Sequence, residues 1–370
     1  VREFFAGKAK EKAARHAEWR KLYADWKAAN PGLASELETA LEGGYPSAGE
    51  LMEAVPEFDP GEALATRASG GKILNGVAAK IPTLVSGSAD LHGSTKNYLD
   101  GLGDFTAENP GGRNIRFGIR EHAMGAIVNG LAYDGIFLAG GATFATFADY
   151  MRPPVRLSAL SRLANFHVWT HDSVGVGEDG PTHQPVEIVA ALRAIPNLDV
   201  IRPADAEEAV GAVVSVVHRR EGPTGLILTR QKVPALGIDA KTKREGTLRG
   251  AYVARKESGE LETILLASGS EVQHAMAAAE RLGKGTRVVS MPSMEIFDRQ
   301  DEAYREEVLP SSCRRRVAIE AGVPQPWFRY VGFDGKVIGI ERFGASAPGS
   351  EVMEKLGMTP ENVVATVNGL

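Results

Sequence analysis

The stretch LDVIRPADAEEAVGAVVSVVHRREGPTGLILT, residues 198–229, contains a complete strand–helix–strand unit. Strands are expected at 199–201 and 225–229. Between them Ala206–His218 carries Val210, Val213, Val214 and Val217 at helical spacing, one apolar face. Nearly continuous apolar strands alternating with helices predict a parallel sheet covered on both sides. The pattern extends upstream, with a helix over 62–80, a strand at 83–87, and strands at 136–139 and 167–171. A helix from about Arg120 shows Met124, Ile127, Val128 and Leu131 at the same spacing, and 94–114 reads as a loop rich in Gly, Asn and Asp. Downstream, the polar stretch 239–250 reads as a linker. A second unit follows, with strands at 263–267, 286–290, 315–319 and 336–340 and a helix over 271–282. The predicted class is α/β: two successive three-layer domains with mainly parallel sheets, 61–238 and 248–370, preceded by a helical arm over 1–60.

The arm opens Val1-Arg2-Glu3 without an initiator Met, and is expected to be a cut end that began in a preceding domain. Residues 8–29 read as a charged helix whose Trp19, Leu22, Tyr23 and Trp26 form one apolar stripe, which calls for a partner surface. Pro31-Gly32 breaks it, a second helix runs about 33–42, and Gly43–Pro46 is a turn.

The chain has 370 residues, 43% apolar and 24% charged, which fits two or three globular domains and excludes a disordered or collagen-like chain. A net charge of −5, from 47 acids against 42 bases, argues against non-specific binding to nucleic acid or anionic membranes. No run of 18 apolar residues exists to span a bilayer. Cys313, the single cysteine, can form neither an internal disulfide nor a multi-thiolate zinc site, so a reducing, cytoplasmic location is expected.

Four groups of residues bear on chemistry. Arg116–Ala123 runs from a loop into a helix and places Glu121 in the first turn, where the dipole favours a carboxylate; a helix-start acid is the plain alternative. Gly140-Gly141 precedes Phe144, Phe147 and Tyr150, three aromatics near one another along a helix. Such a stripe is commonly core, but a double glycine also lets a flat ligand ring approach the backbone. His171, Asp172, Glu178, Asp179 and His183 lie on a glycine-rich loop straight after a strand, where open α/β sheets place ligands. The twelve-residue spacing of the two histidines matches no metal motif. Arg67, Ser94 and Arg230 read singly as surface residues, though an arginine at a strand's end suits bidentate capture of phosphate. There is no Walker loop, dinucleotide-binding glycine fingerprint or nucleophile elbow.

Phe117–Gly125, the His171–Pro185 loop, Gly87–Leu91, Val155–Leu160 and Ile340–Gly349 together resemble the transketolase family. The resemblance covers essentially the whole chain: 61–235 resembles the pyrimidine-binding domain, 248–370 the C-terminal domain, and 1–60 the end of the diphosphate-binding domain with its connecting segment. It implies thiamine diphosphate as cofactor, with Mg²⁺ or Ca²⁺ held by an N-terminal domain not represented here, and no metal ligand in this chain. It implies that Glu121 is the catalytic glutamate at N1′ of the aminopyrimidine, and that Phe144, Phe147 and Tyr150 line the pyrimidine pocket, Phe147 being the stacking ring. Asp90 and Leu91 match positions near the thiazolium. His171, Asp179 and His183 match substrate contacts, His171 a catalytic one; Arg67, Ser94, Arg230 and His183 match the sugar-phosphate clamp. His92-Gly93 ahead of Ser94 departs from the family, where a proline is expected just before the serine. The implied reaction moves a two-carbon ketol unit from a ketose phosphate to an aldose phosphate in the pentose phosphate pathway, by a homodimer joined through the pyrimidine domain. The fragment alone is expected to be inactive. Competing readings are a 2-oxo-acid dehydrogenase β-subunit, the C-terminal subunit of a split transketolase, and a non-catalytic dimerisation module of the same fold.

Overall fold

In the computed structural model, which describes residues 1–370, the apolar runs become the central strands of two sheets. The first sheet contains β1 Leu84–Ser88, β2 Asn114–Arg116, β3 Leu138–Phe144, β4 Phe166–Thr170, β5 Asp199–Ile201 and β6 Thr224–Leu228. Its spatial order is β2-β1-β3-β4-β6-β5, and every neighbouring pair is parallel. The second contains β7 Tyr252–Arg255, β8 Thr263–Ala267, β9 Thr286–Ser290, β10 Arg316–Ile319 and β11 Lys336–Ile338, in the order β11-β10-β8-β9-β7. Only β7 runs antiparallel. Helices cover both faces of these sheets, so β1, β3, β4, β6, β8 and β9 are buried along their whole length.

Residues 1–45 form one unit and 46–370 another. Within the first, helices Arg2–Ala29 and Pro31–Glu42 meet at Asn30, with Pro31 at the first helical position, where its missing N–H costs nothing. The expected apolar stripe is a ladder of stacked rings. His16 on Trp19, Trp19 on Tyr23 and Tyr23 on Trp26 lie at centroid distances of 5.9, 5.5 and 5.8 Å, and Trp19 stays 55% exposed.

Three expectations need correction. The polar stretch 239–250 is mostly helix, Ala240–Leu248, whose buried face is Lys243, Gly246 and Thr247 while Lys241 and Glu245 stay exposed. Asp239 caps it by accepting from Thr242 N at 2.8 Å, and buried Lys243 donates to Asp205 at 2.7 Å. Next, Gly140 and Gly141 lie inside β3 and serve the core. A Cβ on Gly140 would stand 2.2 Å from the Phe166 ring, and one on Gly141 would stand 2.8 Å from Met124 Cγ. The aromatic row follows on a tight 3-10 turn, Ala145–Met151, rather than a regular α-helix. Finally, the loop 94–114 yields an edge strand at its end, β2, anchored by Asn114, whose amide donates to Leu99 O at 2.9 Å.

The sheets are joined through buried polar contacts. Glu208, on the helix Ala206–His218, accepts from Ala204 N at 2.7 Å, Tyr252 O–H at 2.9 Å and Ser290 O–H at 2.6 Å. Burial, with the Asp205 charge adding, pushes its carboxyl up to about 7 from the ordinary 4.5. The folded chain therefore keeps a proton that the unfolded chain has already lost, and stability falls as pH rises from 4.5 through 7. Glu208→Gln imitates the protonated form. In urea unfolding, its stability relative to wild type should improve by up to about 3 kcal/mol between about pH 5 and pH 8. A difference that stays constant over that range would refute the assignment.

Candidate active site

In an open parallel sheet, ligands bind beyond the carboxyl ends of the strands, where the strand order reverses. Here the order reverses between β1 and β3, with β2 lying outside β1. Asp90 and Leu91 follow β1, Glu121 follows β2, Phe144 ends β3, His171 follows β4 and Arg230 follows β6. Arg67 reaches the same edge from the helix Thr66–Lys80. Thr66 pins that helix to the end of β6: Thr66 N donates to Thr229 Oγ1 at 2.8 Å, and Thr229 N to Thr66 Oγ1 at 2.7 Å.

Glu121 opens the helix Glu121–Asp134 and is 8% exposed. The Thr143 hydroxyl donates to its Oε1 at 3.2 Å, and no protein group donates to Oε2. Along β3 the side chains alternate, so Thr143 shares the face of Gly141 and Met124 while Phe144 projects to the other. The Phe144 ring lies 3.6 Å from that of His171 and 5.7 Å from that of Phe147. Phe147 in turn lies 5.4 Å from His183 and 5.8 Å from Tyr150, which is 67% exposed. One row of rings thus carries both histidines.

His171 is buried in a left-handed backbone with φ 62, and its Nδ1 is hydrogen-bonded to Thr170 Oγ1 at 2.8 Å. Burial, then the positive charges of Arg67, Arg230 and His183, hold its pKa down at about 3. The ring is a neutral imidazole at every physiological pH. Arg67 is itself held below the usual guanidinium range by burial and by Arg230, against the pull of Asp179. These couplings put Arg67, Arg230, Asp179 and His183 around one space.

Two expected residues arrive differently. Ser94 meets Arg67 through its backbone, the carbonyl accepting from Nη1 at 2.8 Å. Asp90 is exposed in a left-handed backbone, φ 62, and its charge is felt by His92. Leu91 is half-buried and anchored by its N–H to Ser88 Oγ at 3.1 Å. No group of three or more His, Cys, Asp or Glu side chains comes together to hold a metal ion, and no helix is long and apolar enough to cross a membrane.

The sequence reading passed over Arg202, which is 1% exposed just after β5. It donates to Asp172, next to His171, at 2.7 Å and to Glu271 at 2.5 Å; Glu320 Oε1 lies 3.5 Å away. A charged residue at a strand's carboxyl end was the available signal, the same one that marked Arg230.

Two tandem α/β sheets, with a buried acid, an aromatic row and two arginines along the carboxyl edge of the first, define an α/β chain with a candidate ligand site at that edge. The model of the transketolase pyrimidine-binding domain matches residues 62–235, and that of the transketolase-like C-terminal domain matches 250–359. The chain belongs to the transketolase family. It is 54% identical over 369 residues to the transketolase of Physarum polycephalum, covering 100% of this chain and 55% of that protein. A transketolase from Pichia stipitis, solved in complex with sedoheptulose 7-phosphate, superposes with TM-score 0.89 at 37% identity, covering 97% of this chain and 54% of that one. A split-gene transketolase, solved as an inactive β4 tetramer, superposes with TM-score 0.66 at 27% identity, covering 83% of this chain and 98% of that one. The chain thus spans about half the length of the curated relatives it matches.

A histidine-resolved NMR titration tests the electrostatics. His171 should stay neutral from about pH 8 down to about pH 4. Arg67→Ala and Arg230→Ala should each raise its midpoint yet leave it below 6.5, because burial is the larger cause. A wild-type midpoint at or above 6.5 would show that the ring is not buried as described.

Proposed function

We propose that this chain supplies the pyrimidine-binding half of a transketolase site and takes part in thiamine diphosphate-dependent transfer of a two-carbon ketol unit from a ketose phosphate to an aldose phosphate, in the cytoplasmic pentose phosphate pathway. One observation carries the reading: a buried carboxyl, an aromatic row, two histidines and two arginines converge on one sheet edge. The residues fit the aminopyrimidine part of the cofactor. Glu121 Oε2 has no donor within the protein and suits the protonated N1′, while Phe144, Phe147 and Tyr150 offer ring faces. They do not fit the metal or the diphosphate, which the reading assigns to a diphosphate-binding domain.

When bound, thiamine diphosphate supplies the nucleophilic carbon and the electron sink for carbon–carbon cleavage. Glu121 holds the proton at N1′, and the aromatic row keeps water from the pyrimidine face. His171, held neutral and weakly basic, hydrogen-bonds a sugar hydroxyl or the product oxygen through its other ring nitrogen and orients it for the proton's transfer. Arg67 and Arg230 bind the phosphate, His183 supports them, and Asp179 accepts from a sugar hydroxyl.

A second copy and a diphosphate-binding domain complete the site in this reading. Its support is the large apolar side chains left exposed on this sheet's helices and loops: Ile119, two residues before Glu121, is 81% exposed, Leu157 53% and Leu160 68%. The likeness to a split-gene β chain over 98% of its length favours a second reading, in which that domain is a separate subunit. Under both, ketol transfer should be absent from the chain alone and appear when a separately made diphosphate-binding domain, thiamine diphosphate and Mg²⁺ are added. Continued inactivity with a stable complex formed would count against the proposal. In the complemented enzyme, Glu121→Ala should abolish turnover without loss of fold. Arg230→Ala should lower kcat/KM for a ketose phosphate about 10–100-fold more than for its unphosphorylated analogue. Equal losses on both would remove Arg230 from the clamp.

A further inference from the structure

The segment Gly344–Gly349 follows the second sheet, and nothing in the mechanism above uses it. In the fold it runs along the glycine-rich loop 173–184. Ser346 O–H donates to Glu178 O at 2.5 Å. The amide of buried Gln184 bridges the two segments, donating to Gly177 O at 2.8 Å and to Ala345 O at 2.9 Å. The backbones approach until side chains are excluded. A Cβ on Gly349 would stand 2.4 Å from Gly175 O, and one on Gly344 would stand 1.8 Å from Gln184 Oε1.

The other end of the loop is held as firmly. Asp172 Oδ2 accepts from Arg202 Nη2 at 2.7 Å and Nε at 3.2 Å. The same guanidinium donates to Ser268 O at 2.8 Å and to Glu271, both following β8. Both ends of the loop are therefore fastened to the C-terminal half, and His171, Asp179 and His183 lie beside or between the fastenings.

We propose that the C-terminal half of the chain positions the loop His171–Gln184 from both ends, making Arg202, Gln184 and Gly344 positioning residues for the groups that meet the sugar phosphate. The identity of that ligand rests on the function proposed above; the fastening itself does not. The physical reason is distance: a charged or hydroxyl-reading side chain must sit within a few tenths of an ångström of its partner, and a loop anchored at one end lacks that precision.

Gln184→Leu removes the double bridge at nearly constant volume, and Gly344→Ala displaces the same amide from the other side. Arg202→Lys is less informative alone, because an impaired buried charge cluster endangers folding. Hydrogen exchange on the chain itself should show the amides of Gly177–His183 exchanging about tenfold faster in both of the first two variants, with those of β4 and β8 unchanged. In the complemented enzyme, the same variants should raise KM for the ketose phosphate about tenfold while thiamine diphosphate affinity stays at the wild-type value. Unchanged exchange in both variants would overturn the proposal, as would equal losses in substrate and cofactor binding. If wild type shows no ketol transfer under any complementation, the proposed function fails, and the exchange data alone decide the fastening.

Discussion

One buried guanidinium ties the carboxyl edges of the two sheets to one another. Arg202 sits at the carboxyl end of β5, faces Asp172 from the first sheet, and meets Glu271 and Glu320 from the second. Burial opposes its charge, yet Glu271, Asp172 and Glu320 together outweigh that cost and hold the guanidinium above its ordinary range. The carboxylates divide accordingly. Burial, with the like charge of Glu271, pushes Asp172 up; burial also acts upward on Glu320, but Arg193 and Arg202 overcome it and bring Glu320 down. Arg193 adds two contacts to Glu320, at 2.8 and 3.1 Å, and the Trp327 indole donates a third at 2.7 Å. Removing one member of such a cluster leaves uncompensated charge in the interior, a cost of about 3–5 kcal/mol. The carboxyl edges of the two sheets therefore cannot separate without exposing or orphaning charge, and the loop that begins at His171 inherits that rigidity.

This constraint was the least legible part of the sequence. Strands 199–201, 263–267 and 286–290 were readable to the residue because each centres on a short apolar run rich in β-branched residues or leucine, Val200-Ile201, Ile264–Ala267 and Val288-Val289, and the helix Ala206–His218 because its valines repeat at helical spacing. Charged residues inside the fold carry no such period. Arg202, Glu208 and Lys243 look in sequence like the solvated residues around them, and only three-dimensional pairing shows that they are interior. The same blindness turned the helix Ala240–Leu248 into an expected linker. The edge strand β7 escaped for a different reason: only Tyr252 of its four residues is buried, so no apolar run marks it.

The edge at which the candidate residues gather was legible, and their arrangement on it less so. Glu121, Phe144, His171 and Arg230 could be singled out because each follows or ends a strand, and a parallel sheet sends all such positions to one edge. How each residue takes part was not readable. Ser94 serves Arg67 by its carbonyl, which any residue could supply, and Asp90 is exposed, with its charge felt by His92. Both outcomes depend on the turn His92–Thr95, where His92-Gly93 stands in place of the expected proline.

The electrostatics of that edge follow from its order of magnitudes. The charge on His171 is opposed first by burial and only second by Arg67, Arg230 and His183. A phosphate dianion between the two arginines would offset the second cause and leave the first. The imidazole therefore stays neutral whether the anion is present or not, and acts as a hydrogen-bonding group in both states. Arg67 responds in the opposite way: burial and then Arg230 hold it below its ordinary range, and an anion beside it would offset that repulsion.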